Sequence, residues 1–446
     1  QFNTLLWTGN DSADRDITGV GFQPDWLWIK NREGPDWNML QDAVRGANEV
    51  LYSNRTEGRV IDNTNGHVNS FLADGFNVTA GAAGNVNENN ENYVGWNWNA
   101  GDTDSKTYTV TVVSDSGNKY RFDGFGTSAV TLDLAEGGTY IFNYPSAHPF
   151  RFSTTADGTH GGGTEYTTGV TVLSSTSIQI VVAASAPNLN YYCSSHSGMG
   201  GAINTNSTLG SSNFDGSVQA TVKANATAGF SIITAEAPSS GTNFTVGHGL
   251  GVEVDVIFCK SRESGLYWAV FHRKTTDTNR KYLQLNSNVA TTTSGGDMWG
   301  AALPTSSVIG LSSANAMVAS QDFVCYCFSE VAGYSKVGQY TGNASTDGTF
   351  AFCGFKPAFV LLKKTNSTDN WTIFDNKRDI DNPMHRRLRV NLGDAEATTL
   401  SSSQDQIDFL SNGFKMRSTS NNHNGNNSSN IFLAFAESPF KNARAR

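Results

Sequence analysis

Short apolar runs separated by turn residues recur along the whole chain. Apolar and polar residues alternate within several of them, as in Tyr108–Val113, so that one side of a strand would be buried. Turn residues, chiefly Gly, Asn, Asp and Ser, recur about every 8–12 positions. No long stretch has the period of an amphipathic helix, although Gln41–Glu49 is a candidate short helix. The pattern predicts an all-β protein made of antiparallel sandwich or jelly-roll domains.

The composition supports this prediction and excludes two classes of partner. The 446 residues include 45 Gly, 26 Phe and 9 Trp, and only 16% are charged. Strands favour aromatic and β-branched residues, whereas long helices favour Ala, Leu, Glu and Lys. A net charge of −9 argues against a nucleic-acid partner, which would contact a basic face. No apolar run approaches the ~20 residues that span a bilayer, so we expect no membrane insertion.

Three blocks of the sequence resemble one another, and we number them in chain order: block 1 (1–101), block 2 (216–334) and block 3 (335–446). Thr8–Asn10 recurs as Thr341–Asn343, and Gly21–Lys30 recurs at the same offset as Gly354–Lys363. Val256–Arg262 is a weaker third copy in block 2. We therefore predict that the three blocks share one β-sandwich fold.

Further matches extend the repeat toward the end of each block. Trp37 has counterparts in Trp268 and Trp371, which we expect at equivalent sites, and Phe71–Phe76 matches Phe409–Phe414. Each block ends in an aromatic strand: Tyr93–Trp98, Phe323–Glu330 and Ile431–Glu437. The segment 104–203, here called the insert, is unlike the blocks. Residues 204–216 are rich in Gly, Ser and Asn and are expected to form a linker or long loop.

The repeated block resembles a domain found in marine bacteriophage tail-fibre and other virion proteins. The resemblance rests on Gly-Phe-x-Pro-x-x-x-x-x-Lys, a following Trp, Phe-Leu-x-x-Gly-Phe and the closing aromatic strand. It implies a location on the virion surface rather than a chemistry. The partners it implies are neighbouring virion proteins and host surface glycans. It also implies a homo-oligomer, for which a trimer is expected.

One short run of the insert carries a definite set of metal donors. Cys193, His196 and Met199 lie close together, and His148 lies upstream. One thiolate, two imidazoles and a thioether form the ligand set of a blue-copper centre. The Cys-x-x-His spacing lets one tight loop place both donors on a single metal, and the nearby glycines allow that loop to turn sharply. Copper is therefore the candidate cofactor.

The insert resembles plastocyanin-like cupredoxins, which are Greek-key sandwiches. The expected strands are Tyr108–Val113, Tyr140–Tyr144, Ile178–Val182 and Tyr191–Cys193. The resemblance implies that His148 is the upstream ligand, Cys193 the thiolate, His196 the second imidazole and Met199 the axial ligand. Two features depart from the family: the gap between His196 and Met199 is short, and Pro149 follows His148 directly. Alternatively, the scaffold is retained without metal, with Cys193 and Met199 as core residues.

The remaining reactive side chains favour structural roles. The five cysteines form no regular framework, so we do not expect a disulfide-stapled scaffold, and Cys325 and Cys327 are predicted to be apolar core residues of one strand. Asp42 and Asp375 recur at matching places, where fixing a turn is favoured over catalysis. His160 is predicted to be a loop residue rather than an extra ligand. Four alternating tryptophans are interpreted as core residues, with stacking on sugars as the alternative: Trp26, Trp28, Trp96 and Trp98.

The sequence contains none of the motifs tied to a hydrolase nucleophile, a zinc protease or a phosphate-binding loop. We therefore expect a non-enzymatic phage virion structural protein, a tail-fibre or appendage subunit. Two alternatives from other classes remain open. One is a copper-binding electron-transfer protein, and the other is a cellular carbohydrate-binding surface protein with lectin-like modules.

Overall fold

The chain folds into β-strands joined by turns and loops. A computed structural model describes residues 1–61, 64–83, 85–101, 105–239 and 241–438. Those residues contain no α-helix, and the 3-10 turn Gly158–Gly161 is their one helical element. No helix in the described part of the chain is long and apolar enough to cross a bilayer. The predicted all-β class is confirmed. The predicted start of the insert at Asp104 and residues 439–446 of block 3 lie outside the described residues.

Block 1 is a sandwich of a larger and a smaller sheet. The larger sheet has the order β1-β8-β3-β4-β5 and the smaller one has the order β2-β7-β6. The bounds are β1 (Phe2–Thr8), β2 (Arg15–Thr18), β3 (Trp26–Asn31), β4 (Met39–Asp42), β5 (Gly46–Tyr52), β6 (His67–Leu72), β7 (Gly75–Thr79) and β8 (Asn92–Trp98). Every neighbouring pair is antiparallel.

The insert follows as a second kind of sandwich. Its bounds are β9 (Ser105–Ser114), β10 (Asn118–Phe122), β11 (Leu132–Leu134), β12 (Thr139–Asn143), β13 (Phe150–Ser153), β14 (Val170–Ser174), β15 (Ser177–Val181), β16 (Leu189–Cys193) and β17 (Gly201–Thr205). One sheet has the order β10-β9-β12-β15-β14 and the other β11-β17-β16-β13. The pairs β9–β12 and β11–β17 are parallel, and the other pairs are antiparallel.

The larger sheet of block 2 has the same strand order as that of block 1, with additions at both edges, whereas its smaller sheet has two strands among the described residues and that of block 1 has three. Its sheets have the orders β18-β19-β20-β27-β22-β23-β24-β25 and β21-β26. The bounds are β18 (Ser211–Asn213), β19 (Ala220–Asn225), β20 (Phe230–Glu236), β21 (Asn243–Gly247), β22 (Val256–Ser261), β23 (Ala269–His272), β24 (Lys281–Gln284), β25 (Thr292–Thr293), β26 (Val308–Ser312) and β27 (Asp322–Phe328).

Block 3 repeats the strand order of block 1 in both sheets, as β28-β35-β30-β31-β32 and β29-β34-β33. Its bounds are β28 (Ser335–Thr341), β29 (Phe350–Phe352), β30 (Pro357–Lys364), β31 (Thr372–Asp375), β32 (Leu388–Arg389), β33 (Ile407–Leu410), β34 (Gly413–Met416) and β35 (Ser429–Ala436). The strands β1, β8, β3, β4 and β5 of block 1 therefore correspond to β28, β35, β30, β31 and β32.

A buried lysine closes the loop that follows the central strand of each block. Lys30, Lys260 and Lys363 are fully buried. Each ammonium donates to a main-chain carbonyl of its own loop, at 2.7–3.0 Å. Because burial disfavours the charged form, the pKa of each lysine is lowered from 10.5 to about 8. The lysine of the repeated motif is thus a structural residue.

The three larger sheets pack their inner faces together in one shared core. Trp98 of block 1 illustrates this packing, because its ring lies 6.3 Å from Phe328 of block 2 and 5.8 Å from Phe359 of block 3. Both distances are between ring centroids in edge-on geometry, which aromatic pairs favour. Each block also has a separate core between its own two sheets, and the insert has a fourth.

The blocks close into a ring with three contacts, which we call seams 1–2, 2–3 and 3–1 after the blocks that meet there. At each seam a side-chain N–H beside β4, β23 or β31 donates to a main-chain carbonyl of the neighbouring block. The three bonds are Trp268 Nε1 to Tyr52 O at 2.9 Å, Trp371 Nε1 to Gln284 O at 2.8 Å and Asn38 Nδ2 to Arg389 O at 3.4 Å. The chain is therefore threefold pseudosymmetric.

This geometry corrects two local predictions. Trp268 and Trp371 precede their strands directly, but Asn38 holds that position in block 1, so the expected equivalence of Trp37 is wrong by one residue. A shift of one residue turns a side chain to the other face of a strand, where Trp37 packs on Tyr52 instead. The candidate helix Gln41–Glu49 is also wrong, because β4 and β5 form a hairpin there.

Two further predictions fail because distant segments meet in the sheet of block 2. Cys259 and Cys325 lie directly opposite one another in β22 and β27 and form a disulfide, so Cys325 is not the free core cysteine we expected. Cys193, Cys327 and Cys353 are unpaired and buried. The predicted linker 204–216 contains β18, which pairs with β19. The Ser212 carbonyl also accepts a hydrogen bond from Tyr108 of the insert.

Candidate metal centre

The candidate site lies at one end of the insert, where two loops are brought together by strand pairing. Phe150 at the start of β13 pairs with Cys193 at the end of β16. The His148 loop therefore lies beside the loop that runs from Cys193 to Met199. The Ser194 N–H donates to the Pro149 carbonyl at 3.0 Å and ties the two loops together.

Three of the four predicted donors converge. One ligand atom from each of His148, Cys193 and His196 lies within 4.8 Å of the other two. The Cys193 sulfur is 3.5 Å from Nδ1 of His196, and the two imidazole centroids are 4.7 Å apart. His148 thus presents its donor atom to the same point as Cys193 and His196, which lie much further along the sequence, as the order of donors in the sequence predicted.

The donors differ in exposure. Cys193 is fully buried, His148 is half-buried and His196 is exposed. Nδ1 of His148 is buried and has no hydrogen-bond partner among the described residues, and a buried polar atom in that state is satisfied by a bound water or ion. Met199 is 1% exposed and belongs to the same apolar cluster as Cys193. The site is therefore open to solvent on the His196 side and apolar beneath.

Glycines make the Cys–His–Met loop possible. Gly198 has a φ of +73°, which favours glycine, and its N–H donates to Asp157 Oδ1 at 2.8 Å. A Cβ on Gly200 would lie 1.7 Å from the Tyr191 carbonyl oxygen, so no side chain fits there. The loop returns Met199 to the core, where its carbonyl accepts a bond from the Tyr120 N–H at 3.0 Å.

Two residues that sequence analysis did not place near the donors support them. The Tyr120 hydroxyl donates to the His148 carbonyl at 2.7 Å, and burial, followed by the adjacent Cys193, raises the pKa of Tyr120 above its ordinary value. Nε2 of His160 lies 3.0 Å from the Cys193 carbonyl oxygen. His160 is exposed in the 3-10 turn, in agreement with a loop position. No sequence signal links either residue to the site, because both reach it by strand and loop packing.

The other candidate residues lie inside the ring. Asp42 and Asp375 form ion pairs with Arg45 and Arg378, and all four side chains are 0% exposed. Stacking on sugars was the alternative interpretation of four tryptophans, and all four are at most 1% exposed: Trp26, Trp28, Trp96 and Trp98. Stacking on sugars is therefore wrong for these four residues, and the core interpretation is confirmed.

Comparison with known proteins gives a family match. A family model described as a domain of unknown function (DUF7483) matches residues 1–138 and 160–439. No curated protein and no solved structure matches the chain. The family match covers blocks 1 and 2, most of block 3 and most of the insert. The chain therefore belongs to the family described as a domain of unknown function, DUF7483.

Proposed function

We propose that the chain is a non-enzymatic structural subunit of a phage virion, a tail-fibre or appendage protein that contacts host surface glycans or neighbouring virion proteins. The observation that carries the proposal is the closed ring of three sandwiches around one apolar core. Such a ring is a rigid scaffold that presents three sets of loops at its surface, where binding residues are commonly found. The sequence resemblance to tail-fibre repeats supports the setting.

The buried state of the recurring carboxylates favours this structural role over catalysis. A general acid or base must come within hydrogen-bonding reach of its substrate. Asp42 and Asp375 instead hold buried arginines and accept bonds from Tyr326 and Trp96 across seams 1–2 and 3–1. Removing either partner of a buried ion pair destabilises a fold strongly, by about 3–5 kcal/mol. The recurrence and burial of these carboxylates are therefore explained by the contacts they make between blocks of the ring.

The location can be tested by imaging. Gold-labelled antibodies raised against the folded insert should bind tail or capsid appendages of particles released by the producing host. Antibodies absorbed with the purified chain provide the control. Labelling confined to the cell envelope, with unlabelled particles, would overturn the virion assignment and favour the cellular carbohydrate-binding protein. Light scattering of the purified chain would separately test the expected homotrimer, which a mass of one chain would contradict.

A second candidate function, a mononuclear copper site, is carried by the convergence of His148, Cys193 and His196. The buried Nδ1 of His148 and the adjacent thiol fit a cation that prefers nitrogen and sulfur donors. Copper bound to a thiolate supplies one-electron redox chemistry. The protein would hold the donors in place through the β13–β16 pairing and exclude water from the Cys193 side.

Copper binding predicts a colour that depends on one cysteine. Adding Cu²⁺ to the purified chain should produce an intense visible thiolate-to-copper absorption with one equivalent bound. Cys193→Ser should abolish the band, because the thiolate is its source. Cys353→Ser, a buried unpaired cysteine in block 3, should retain it. A colourless Cu²⁺ complex, or equal absorption in both variants, would favour an insert that serves as a scaffold without copper.

A further inference from the structure

Seam 2–3 lacks the buried aspartate–arginine pair that the other two seams contain. The residue paired with the start of the central strand is Asp42 in block 1, Asp375 in block 3 and His272 in block 2. Three positions later, Arg45 and Arg378 recur, but the third copy has Thr275. Two seams therefore contain a buried guanidinium, and seam 2–3 has a short hydroxyl side chain at the same position.

A polar groove of about 430 Å³ opens between blocks 2 and 3 beside Thr275. Ligand sites commonly have volumes of about 300–1,000 Å³. Lys274, Asp277 and Lys281 lie on the block 2 side of the groove, and hydrogen-bonding side chains lie on the block 3 side: Gln339, Thr341 and Ser429. All three block 3 residues are exposed, so their polar groups are accessible. The groove thus combines hydroxyl and amide groups with ammonium groups.

The groove carries a net positive charge on a chain whose net charge is −9. Lys281 and Asp277 neutralise one another in an ion pair of 2.8 Å. Lys274 is exposed, and no carboxylate pairs with its ammonium in the part of the chain that the structure describes. A single uncompensated positive charge among neutral hydrogen-bonding groups is complementary to a ligand that is mostly hydroxylated and carries an anionic group.

We propose that the groove at seam 2–3 binds an acidic saccharide, with a sugar carboxylate at Lys274 and sugar hydroxyls at Gln339, Thr341 and Ser429. The inference rests on the proposed contact with host glycans for its biological setting and gives that contact a location. Hydrogen bonds between ionised partners are about twice as strong as neutral ones, so Lys274 supplies the preference for an acidic sugar. The groove lies at the seam that has no buried aspartate–arginine pair.

Calorimetric titration of the full chain tests the charge preference, with trigalacturonate as the acidic probe and maltotriose as the neutral one. Trigalacturonate should bind and maltotriose should bind at least about tenfold more weakly. Lys274→Glu should weaken trigalacturonate binding by about tenfold or more. Lys377→Glu is the matched control, because Lys377 occupies the corresponding position in block 3, two residues after Asp375, and is exposed. It should leave binding unchanged.

A second pair of variants tests the location without changing charge. Thr341→Trp should fill the groove and weaken binding of trigalacturonate, whereas Thr8→Trp changes the equivalent exposed end of β1 and should not. Equal binding of both trisaccharides, no binding, or binding insensitive to Lys274→Glu and Thr341→Trp would overturn the proposed site. If antibodies detect the chain on virions but the chain does not bind trigalacturonate, this inference alone is overturned. If the chain binds trigalacturonate but is absent from virions, the virion assignment alone is overturned.

Discussion

At the residue scale, the recurring positions explain which side chains the repeat needs. Sequence comparison alone identified the recurring lysines and aspartates, because they hold the same offsets in blocks 1 and 3, but it did not predict that the lysines are buried. It did not identify Arg45 or Arg378 as the partners of these aspartates, because their recurrence three positions later does not by itself show that the two side chains meet. It also missed Asn38, whose amide replaces an indole N–H at seam 3–1. At seam 3–1 a residue of different chemistry, Asn38, thus donates the hydrogen bond that a tryptophan donates at the other two seams.

Protonation of His272 should lower the free energy of unfolding of the ring at acidic pH. His272 is fully buried, with Nε2 at 3.3 Å from the Phe432 carbonyl oxygen. Burial, with a smaller effect of Lys274, lowers its pKa from 6.5 to about 4. The unfolded chain then takes up a proton before the folded one, so stability is retained above pH 6.5 and is lost between pH 6.5 and 4. The expected loss is about 3 kcal/mol.

The measurement is denaturant unfolding at a series of pH values, comparing the natural chain with His272→Gln. The glutamine amide can still donate to Phe432 O but does not titrate. The variant should therefore show a shallower loss of unfolding free energy between pH 6.5 and 4. Parallel pH profiles for the two proteins would mean that His272 does not cause the loss of unfolding free energy at low pH.

At the element scale, strands were predictable and their partners were less so. The alternating run Tyr108–Val113 and the closing aromatic strands appear where the sequence placed them, because a period of two needs only local information. The hairpin at Gln41–Glu49 and the short strand β18 were missed. Both depend on pairing with neighbours that the local pattern does not reveal. The disulfide between Cys259 and Cys325 was missed for the same reason.

The candidate metal site was more predictable than these pairings. Its donors combine a local motif, Cys-x-x-His, with one upstream histidine, and β13 pairs with β16 at the position that joins them. The supporting Tyr120 and His160 come from β10 and the 3-10 turn, and their approach depends on how two sheets pack. Sequence chemistry therefore indicated the donors, while tertiary packing determined their surroundings.

At the scale of the whole molecule, the ring was not predictable from the repeat. Three similar blocks are compatible with separate domains on a string, with a stacked solenoid or with a closed ring. The deciding feature is the aromatic inner face of each larger sheet. Trp26, for example, lies 4.4 Å from the ring of Tyr326 in block 2, so these faces cover one another. One chain thereby arranges three repeats around a common axis.

The shared core predicts that the three blocks unfold as one unit and that the insert is separable. Trp98→Ala should destabilise the whole ring by about 3–5 kcal/mol, because the side chain packs against blocks 2 and 3 as well as its own. Phe142→Ala removes a fully buried ring from the insert's own core and should destabilise the insert before the blocks.

Hydrogen exchange followed by mass spectrometry distinguishes the effects of the two substitutions. Trp98→Ala should lower amide protection in β22 and β30 together with β3, whereas Phe142→Ala should lower it mainly in β9–β17. If Trp98→Ala exposes block 1 while blocks 2 and 3 keep their protection, the blocks are independent domains and the ring is not a cooperative unit.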